Sequence, residues 1–394
     1  MKTLYEESVA YHRKHQGKLT MRAIAQVKNR HDLALAYTPG VAEPCRIIAH
    51  RPVEAYNLTW KGRTVAVISD GSAVLGLGNI GATAGIPVME GKALLMKEFA
   101  GIDAIPLVID SQDPEEIIRF VRFIAPNFAG INLEDISAPR CFQIEESLST
   151  IGIPVFHDDQ HGTAIVVSAA LHNAAKVVGK PYNSLKIVVV GAGAAGLAIS
   201  RMLLGLNCRG NVCKYIKKSD RVRNLIVVDK IGTLYCGRKN QNIYKQAIAC
   251  VSNKQNINGS LTEAIRGADA VIGVSGPNSI TAEMIQTMAE KSIVFAMANP
   301  TPEIMPDRAK EAGAYIIATG RSDFPNQINN VLAFPGVFKA IVKGRLKAIT
   351  PRMEIAAAHA IETMVKRPTK NCIIPDPFTP HLAEKVADAI LAQK

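Results

Sequence analysis

Short apolar runs alternate with helical patterns along the chain from residue 63 onward, whereas the first 60 residues read as helices and loops. The runs are rich in Val and Ile and end at Asp, Gly, Asn or Pro, which is typical of buried strands. They predict strands at residues 63–71, 102–110, 128–136, 153–159, 186–190, 225–229, 268–277, 293–300 and 314–325. Helices are predicted at 114–123, 162–178 and, around a proline-rich stretch at 375–380, over the tail 355–392.

The alternation of strands and helices predicts an α/β fold in which helices flank parallel sheets. A chain of 394 residues is expected to form two domains. We place the boundary near residue 160, so that an N-terminal α/β domain with a parallel sheet spans residues 1–160. A second domain then spans residues 161–394 and includes the helical tail.

The stretch 187–206 is long enough to cross a membrane, but it contains Arg201 and four glycines. A strand, a tight turn and a helix therefore explain it better, and no membrane partner is expected. The first 18 residues lack the apolar core of a signal peptide. The seven cysteines include no CxxC pair, which predicts reduced thiols and a cytoplasmic location.

The net charge of +12 is concentrated in one part of the chain. Residues 176–254 hold 15 Lys and Arg against 2 Asp and Glu, and the densest part, 207–224, resembles a basic insertion. A basic segment suggests an anionic partner such as a phosphate-bearing cofactor, a membrane surface or nucleic acid, although a solvated surface is the simpler explanation. Only one aromatic residue, Tyr215, is interleaved within 207–224 for base stacking, and no recognition-helix motif appears, so nucleic-acid binding is not favoured.

A glycine-rich turn follows the predicted strand 186–190 and precedes a helical pattern. It consists of Gly191, Ala192, Gly193, Ala194, Ala195 and Gly196. Between a strand and a helix, GxGxxG allows a tight turn, lets a pyrophosphate approach the backbone and packs the helix closely on the strand. The second domain is therefore predicted to be a Rossmann-type dinucleotide-binding domain.

Asp229 ends the next predicted strand, where such domains place an acid that binds the adenosine ribose. It follows Gly196 by 33 residues, and the basic insertion accounts for the excess over the usual spacing of about 20. A carboxylate there favours NAD, because it would repel the 2′-phosphate of NADP. The basic residues that could reverse this preference are Lys217, Lys218, Arg221, Arg223 and Lys230.

Two pairs of acids follow two strands of the first domain. Glu134 and Asp135 come after one strand, and Asp158 and Asp159 after the next. Ligands of open α/β sheets bind at the carboxyl ends of the strands, and an oxygen-rich cluster there suits Mg²⁺ or Mn²⁺. The alternative is that Asp158 caps a helix that begins near Gly162 while the other acids face water.

His157 and His161 have the spacing of a zinc pair on a helix, but the stretch is HDDQH rather than HExxH. A zinc hydrolase is therefore not favoured, and the two histidines are expected to make local hydrogen bonds. Tyr37 lies in a Pro-Gly turn and Lys92 on an apolar helix. Asn299, Asn329 and Asn330 place amides in loops, where they could bind a carboxylate or a ribose, or form turns.

Taken together, seven ordered motifs between residues 10 and 350 resemble malic enzyme, in its short bacterial-type branch. They are AYTPGV, SDGSAVLGLGNIGATAGIPVMEGKALL, INLEDI, FHDDQHGTA, VVGAGAAG, ANPTPE and FPNQINNVLAFPG. The resemblance implies oxidative decarboxylation of (S)-malate to pyruvate and CO₂ with reduction of NAD⁺ or NADP⁺. It also implies a requirement for Mg²⁺ or Mn²⁺ and a homodimer.

The resemblance also implies roles for individual residues. Lys92 is expected to take the proton of the C2 hydroxyl, and Tyr37 to protonate the enolpyruvate carbon. The metal ligands are expected to be Glu134, Asp135 and Asp159, with Asp158 as a supporting acid. A base at Lys92 requires a lowered pKa, which a nearby cation and partial burial would supply.

The substrate shell follows in the same way from the resemblance. Asn299 and Asn330 are expected to bind the substrate, and Asn299 also to contact the cofactor. The chain has Ser72-Ala73 where the long animal enzymes have an arginine after SDG-x. The substrate carboxylate is therefore expected to be held by Ser72, the amides or a partner subunit.

Two other classes of protein remain open from the sequence. Another two-domain dehydrogenase, acting on an amino acid or methylene-tetrahydrofolate, would need no acidic metal cluster. A nucleic-acid-binding protein would use the basic insertion at 207–224, and its binding would depend on salt.

Overall fold

The four strands predicted before residue 160 form one parallel sheet. The computed structural model describes residues 3–74, 76–216 and 220–394. The first sheet has the order β2-β1-β3-β4. Its strands are β1 (Thr64–Ser69), β2 (Asp103–Val108), β3 (Gly130–Leu133) and β4 (Val155–His157), and every neighbouring pair is parallel. The carboxyl ends of β3 and β4 therefore lie side by side.

The second sheet has six strands and the order β12-β11-β10-β5-β8-β9. Its strands are β5 (Lys186–Val190), β8 (Asn224–Asp229), β9 (Gly232–Thr233), β10 (Ala270–Gly273), β11 (Ile293–Ala296) and β12 (Ile316–Thr319). All its pairs are parallel except β8 with β9. The chain order reverses on the two sides of β5, which is where a Rossmann-type sheet binds its ligand.

A separate antiparallel hairpin, β6 (Leu206–Arg209) and β7 (Val212–Tyr215), lies in the chain between β5 and β8. It covers the first half of the predicted basic insertion at 207–224. Lys217 and Lys218 of that stretch lie outside the described residues.

The helices flank both sheets, as predicted for an α/β fold. The helices of the first domain are α1 (Leu4–His15), α2 (Arg30–Ala36), α3 (Ala42–His50), α4 (Ala55–Leu58), α5 (Ala82–Ala100), α6 (Pro114–Ile124) and α7 (Arg140–Leu148). They are followed by α8 (Asp158–Val178), α9 (Ala194–Leu203), α10 (Ile243–Ala249), α11 (Leu261–Ile265), α12 (Ala282–Gln286), α13 (Pro306–Glu311), α14 (Phe334–Gly344), α15 (Pro351–Met364) and α16 (Leu382–Leu391). Helices α15 and α16 confirm the helical tail.

Helix α8 begins at Asp158, four residues before the predicted start at residue 162. Asp158 and Asp159 thus occupy its first turn, and no side chain caps the helix. The alternative in which Asp158 caps a later helix is therefore wrong. The helix is buried along most of its length, and its apolar side chains join those of β1 and β5 in one continuous core. Packing against α9, α15 and β4 fixes the position of its first turn.

The stretch 187–206 forms β5, a glycine turn and α9, as predicted. Within the described residues, no helix is both long and apolar enough to cross a membrane.

The segment from residue 3 to residue 60, here called the N-terminal arm, has no buried residue. Helices α1 to α4 lie in it, and none of them buries a side chain in this chain. Large apolar side chains are nevertheless exposed along it: Leu4, Tyr5, Val9, Tyr11, Leu19, Met21, Ile24, Val27, Leu33, Leu35, Tyr37, Val41, Val53, Leu58 and Trp60. Exposure of so many large apolar side chains in one segment is typical of a protein–protein contact.

Four of the seven cysteines are paired in the structure, in contrast to the prediction of reduced thiols. Cys208 and Cys213 face each other across the β6-β7 hairpin, and Cys236 is bonded to Cys250. The segment CRGNVC, which Cys208 and Cys213 begin and end, did not suggest a disulfide in the sequence. The hairpin that places the two cysteines opposite each other was not predicted. The other three cysteines are Cys45, Cys141 and Cys372.

Candidate active site

Three carboxylates from two neighbouring strand ends meet in the first domain. Glu134 and Asp135 follow β3 directly, and Asp159 lies in the first turn of α8 after β4. Each offers an oxygen, and these oxygens lie within 4.8 Å of one another. Glu134 and Asp135 are buried and Asp159 is partly buried, so the acids do not face water as the alternative required.

The backbone holds the cluster in this arrangement. Asp135 has a φ of 55°, in the left-handed region that Asp tolerates better than most residues. Its backbone N–H donates to Asp159 Oδ2 at 2.7 Å, and its carbonyl accepts from the N–H of Ala73 at 2.9 Å. The turn after β3 is thereby tied both to α8 and to the loop after β1.

Lys92 comes from α5 and is buried beside the cluster. Its Nζ lies 2.8 Å from Glu134 Oε1 and 2.5 Å from Asp158 Oδ2, and 4.1 Å from the centre of the Phe334 ring. Asp158 is fully buried, and a Cβ at Gly162 would collide with its carboxylate. The glycine of the HDDQHG stretch thus leaves room for the acid that pairs with Lys92.

Burial and repulsion act together on the acids. The pKa of Glu134 is raised well above its ordinary value, mainly because burial penalises its negative charge. Lys92 opposes this shift, whereas the carboxylates of Asp159, Asp158 and Asp135 increase it. Burial lowers the pKa of Lys92, but Asp158 and Glu134 raise it more, so the net shift is upward. The expectation of a lowered pKa at Lys92 is therefore not met in this structure, because two carboxylates contact its ammonium.

The donor set fits a hard divalent cation. All three ligands offer carboxylate oxygens, which Mg²⁺ and Mn²⁺ prefer over the nitrogen and sulfur ligands typical of zinc. Burial is the main cause of the raised pKa of Glu134, and repulsion by the neighbouring carboxylates adds to it; a dication among these acids would offset both effects. The cluster is thus suited to hold the metal that the sequence predicted.

A polar network that was not predicted from the sequence contacts the acidic cluster through His157. His157 Nε2 lies 3.1 Å from Asp159 Oδ2, and Gln160 links the His157 ring to Glu145. His161 is held between Glu145 at 3.0 Å and Glu354 at 2.9 Å. Burial lowers the pKa of His161, but these two carboxylates raise it to about 10.

Both histidines therefore make local polar contacts, as expected, and neither lies in the acidic cluster. Glu145 lies on α7, 12 residues before His157, and Glu354 lies on α15, far from the HDDQH motif in sequence. No signal in the sequence linked either acid to the motif.

Ser72 is buried in the loop after β1, where its hydroxyl donates to Asp70 Oδ1 at 2.6 Å and accepts from the N–H of Ser137 at 2.9 Å. Arg140, which the sequence analysis missed, donates to Asp70 Oδ2 and to the Ser137 hydroxyl from the same side. An arginine is thus present beside Ser72, although it does not follow SDG-x in the chain. The only signal for Arg140 in the sequence was its position shortly after the INLEDI motif.

The two amides predicted to bind substrate lie at loops around the site. The Cβ of Asn330 would be 3.3 Å from a Cβ at Gly162, so Asn330 lies beside the first turn of α8. The carbonyl of Asn299 closely approaches Gly76, in the loop that follows Ser72. Asn299 therefore joins the loop after β11 to the loop after β1, between the two domains.

Tyr37 is not brought to this cluster. It ends α2 in the N-terminal arm and is 68 % exposed. Among the described residues, no hydrogen bond, ion pair or ring contact joins its side chain to Lys92 or to the acids.

The glycine turn lies at the carboxyl end of β5. Gly191 has a φ of 116°, its N–H donates to the Val228 carbonyl of β8 at 2.8 Å, and α9 begins at Ala194. A Cβ at Gly196 would collide with the carbonyl of Gly191, which explains the third glycine of GAGAAG. Ala192, Gly193 and Ala195 complete the turn and the first helical positions, and the arrangement is that of a pyrophosphate-binding turn.

Buried Glu303 supports this edge of the sheet and was missed in the sequence. Its carboxylate accepts from the backbone N–H of Ser275 at 2.8 Å and of Ala298 at 3.0 Å. These loops follow β10 and β11, next to the glycine turn. The PTPE part of the ANPTPE motif thus supplies a carboxylate that binds two backbone loops.

Asp229 ends β8, as predicted, but its carboxylate is already occupied. Arg238 binds it through both terminal nitrogens, at 3.0 Å and 2.6 Å, and Lys245 Nζ lies 2.7 Å from Oδ2. Burial alone would raise the pKa of Asp229, but the hydrogen bonds from Arg238, Lys245 and the N–H of Ile231 hold it far below its usual range. The premise of the NAD preference, an unpaired carboxylate, is not met here.

The fold and the site define a class: a two-domain, dinucleotide-dependent oxidoreductase with a carboxylate cation site next to a buried lysine. Two family models match the chain, described as malic enzyme, N-terminal domain, over residues 14–149 and malic enzyme, NAD binding domain, over residues 160–390. The chain belongs to the malic enzyme family.

Individual proteins agree with this assignment. The chain is 50 % identical to an NAD-dependent malic enzyme of Geobacillus stearothermophilus, over 95 % of this chain and 76 % of that protein. It is 44 % identical to an NADP-dependent malic enzyme of Halomonas elongata, over 98 % and 92 %. The crystal structure of an NAD-dependent malic enzyme from Thermotoga maritima superposes with a TM-score of 0.90 at 45 % identity, covering 98 % of both chains.

Proposed function

We propose that this protein oxidatively decarboxylates (S)-malate to pyruvate and CO₂, reducing NAD⁺ or NADP⁺, with Mg²⁺ or Mn²⁺ held by Glu134, Asp135 and Asp159. The observation that carries the proposal is the meeting of these three carboxylates within 4.8 Å, with Lys92 Nζ 2.8 Å from one of them. A cytoplasmic location remains the prediction made from the sequence.

The cation, when bound, supplies a Lewis acid that stabilises negative charge on the C2 oxygen of the substrate. Lys92 Nζ, held as an ammonium, first gives a proton to Asp158 Oδ2, which lies 2.5 Å away, and the neutral amine then takes the proton of the C2 hydroxyl, so Asp158 supports the base. A bound nicotinamide would accept the hydride from C2. After CO₂ is lost, Tyr37 donates a proton from its phenol to the enolpyruvate carbon.

Binding of the substrate is proposed for Asn299 and Asn330, whereas Ser72, expected from the sequence to bind the carboxylate, is proposed to hold its loop in place, because its hydroxyl and its N–H both donate to Asp70. Asn330 lies beside the first turn of α8, and Asn299 and Ser72 lie on loops that meet between the domains. The backbone of the glycine turn from Gly191 to Gly196 is proposed to bind the pyrophosphate of the cofactor, and Asn299, in the loop after β11 of the same sheet, to contact the nicotinamide half.

A homodimer completes the site in this proposal. The N-terminal arm exposes apolar side chains over its whole length and buries none in its own chain. Tyr37 lies in this arm and makes no described contact with the cluster of its own chain. A second copy that covers the arm would remove the apolar surface from water and could place Tyr37 at the partner's Lys92.

Mixed dimers test the placement of Tyr37. Neither the Tyr37→Phe nor the Lys92→Met homodimer is expected to turn over malate. When the two variants are unfolded together and refolded as hybrids, a site with both intact residues forms only if the tyrosine acts across the interface. The expected result is recovery of up to about half of the wild-type rate per hybrid dimer, measured as NAD(P)H formation. Hybrids, confirmed by mass spectrometry, that stay inactive would show that Tyr37 works within its own chain.

Initial-rate kinetics with malate test the function as a whole. The expected result is NAD(P)H formation that requires Mg²⁺ or Mn²⁺, stops on addition of EDTA and returns when excess metal is added. A dehydrogenase of the amino-acid or methylene-tetrahydrofolate type would be insensitive to EDTA. Activity that EDTA leaves unchanged would therefore contradict the proposal.

A further inference from the structure

Asp229, the acid that was predicted to bind the adenosine ribose, has no free position for another hydrogen bond on its carboxylate. A carboxylate has about four lone-pair positions. On Asp229, Oδ1 accepts from the N–H of Ile231 at 3.0 Å and from Arg238 Nη1 at 3.0 Å. Oδ2 accepts from Arg238 Nη2 at 2.6 Å and from Lys245 Nζ at 2.7 Å. All four positions are filled by this chain's own donors, so a ribose 2′-hydroxyl would find no acceptor there.

The pairing of β8 with β5 places Asp229, Arg238 and Lys245 beside the glycine turn, at the edge of the sheet where the cofactor is proposed to bind. Val228 of β8 is paired with Val190 of β5, and the next residues along the two strands are Asp229 and Gly191. The glycine turn and the Asp229 cluster therefore leave the sheet side by side. An adenosine ribose attached to a pyrophosphate at the turn would come next to Asp229.

The charges of the cluster favour an anion rather than a hydroxyl. One carboxylate is paired with two cations, so the group as a whole is positive, and exposed Lys230 adds another positive charge next to it. A 2′-phosphate, with its negative charge and acceptor oxygens, is the part of NADP that NAD lacks. The repulsion that a free Asp229 would exert on it is cancelled by the bidentate Arg238.

Arg238 and Lys245 have different parts in the cluster. The Arg238 side chain is 8 % exposed and also donates to the carbonyls of Gly232 and Thr233 at 3.2 Å and 3.1 Å. It is therefore fixed by the fold. The Lys245 side chain is 24 % exposed, and among the described residues only Asp229 lies within hydrogen-bond distance of its Nζ. Two of its three N–H donors remain for a ligand.

We propose that Lys245 recognises the 2′-phosphate of NADP, and that Arg238 makes this possible by occupying Asp229. This inference rests on the proposed function, since it concerns the cofactor of that reaction. It reverses the preference that the sequence suggested: the site favours NADP and still accepts NAD through the glycine turn. Lys245 is the specificity-determining residue, and Arg238 is a positioning residue.

Calorimetric titration of the whole protein, without malate or metal, measures this directly. The probes are adenosine 2′,5′-bisphosphate and 5′-AMP, which differ only in the 2′-phosphate. The bisphosphate is expected to bind about 10-fold or more tightly than 5′-AMP, as one charge-assisted hydrogen bond suggests. In Lys245→Met, this advantage is expected to fall to within about 2-fold, while the affinity for 5′-AMP is unchanged.

Lys254→Met is the matched control, because Lys254 lies in the loop after α10 near Arg223, at the opposite end of β8. It removes the same charge and is expected to leave the advantage of the bisphosphate intact. Equal binding of both probes to the wild type, or an equal loss in both lysine variants, would overturn the inference. Because no turnover is measured, this outcome is separate from a failure of the malate reaction.

Discussion

Replacement of Lys92 by arginine is expected to lower malate-dependent NAD(P)H formation by about 10³-fold while the protein stays folded. Arginine keeps a positive charge between Glu134 and Asp158, but its pKa is too high for it to act as a base near neutral pH. Loss of a general base alone costs about 10²- to 10⁴-fold in rate. The measurement is kcat with saturating malate and Mn²⁺, together with the melting temperature of each variant.

Lys92→Met separates the chemical role from the structural one. Both carboxylates that contact Lys92 are buried, and breaking a buried pair costs about 3–5 kcal/mol. The methionine variant should therefore lose activity and melt at a lower temperature, whereas the arginine variant should lose activity only.

Lys97→Met is the control on the same helix, since Lys97 pairs with Asp103 at the surface and should change neither quantity. Wild-type turnover in Lys92→Arg would rule out Lys92 as the base.

The elements of this fold could be predicted because their signals are local. Each strand is a short apolar run with a polar end, and the glycine turn combines a strand, three glycines and a helix within about 20 residues. The meeting of the acids was predictable for a related reason. Parallel neighbours place their carboxyl ends at one edge, so two acidic strand ends in succession imply one cluster.

The partners of the key side chains could not be predicted in the same way. Lys92 and Asp158 are 66 residues apart, and their pairing depends on how α5 and α8 pack on the sheet. Asp229 was identified correctly as the acid at the end of β8. Its neutralisation was missed, because Arg238 and Lys245 lie in a loop and a short helix whose direction the charge pattern does not give.

The start of α8 is another feature that the local sequence did not predict correctly. The prediction placed the start of the helix at Gly162 because residues 153–159 were assigned to a strand. In the structure, the strand ends at His157, the helix is buried in the core that it shares with both sheets, and the acids enter its first turn. That shift of four residues turns Asp159 toward Asp135, which the predicted boundary did not require.

Neutralisation of one ligand is expected to separate metal binding from folding. Asp135→Asn keeps a side chain of the same shape, and asparagine also tolerates the left-handed backbone at this position. Changes to residues that merely support metal ligands cost about 10- to 100-fold in affinity, so loss of a direct carboxylate should weaken Mn²⁺ binding by at least about 100-fold. Titration calorimetry with Mn²⁺ measures this, and malate turnover should fall to a similar or greater extent.

The melting temperature of Asp135→Asn distinguishes a metal site from a cluster that only stabilises the fold, because the substitution should weaken metal binding without destabilising the metal-free protein. Without metal, Asp135 contributes to the repulsion that raises the pKa of Glu134, so its neutralisation should not lower the melting temperature in EDTA. With Mn²⁺ present, the wild type should gain several degrees through mass action and the variant almost none. Asp110→Asn makes the same change after edge strand β2, outside the cluster, and should behave as the wild type does. A variant that binds Mn²⁺ normally but melts earlier in EDTA would mean that the three acids hold the turn after β3 and not a cation.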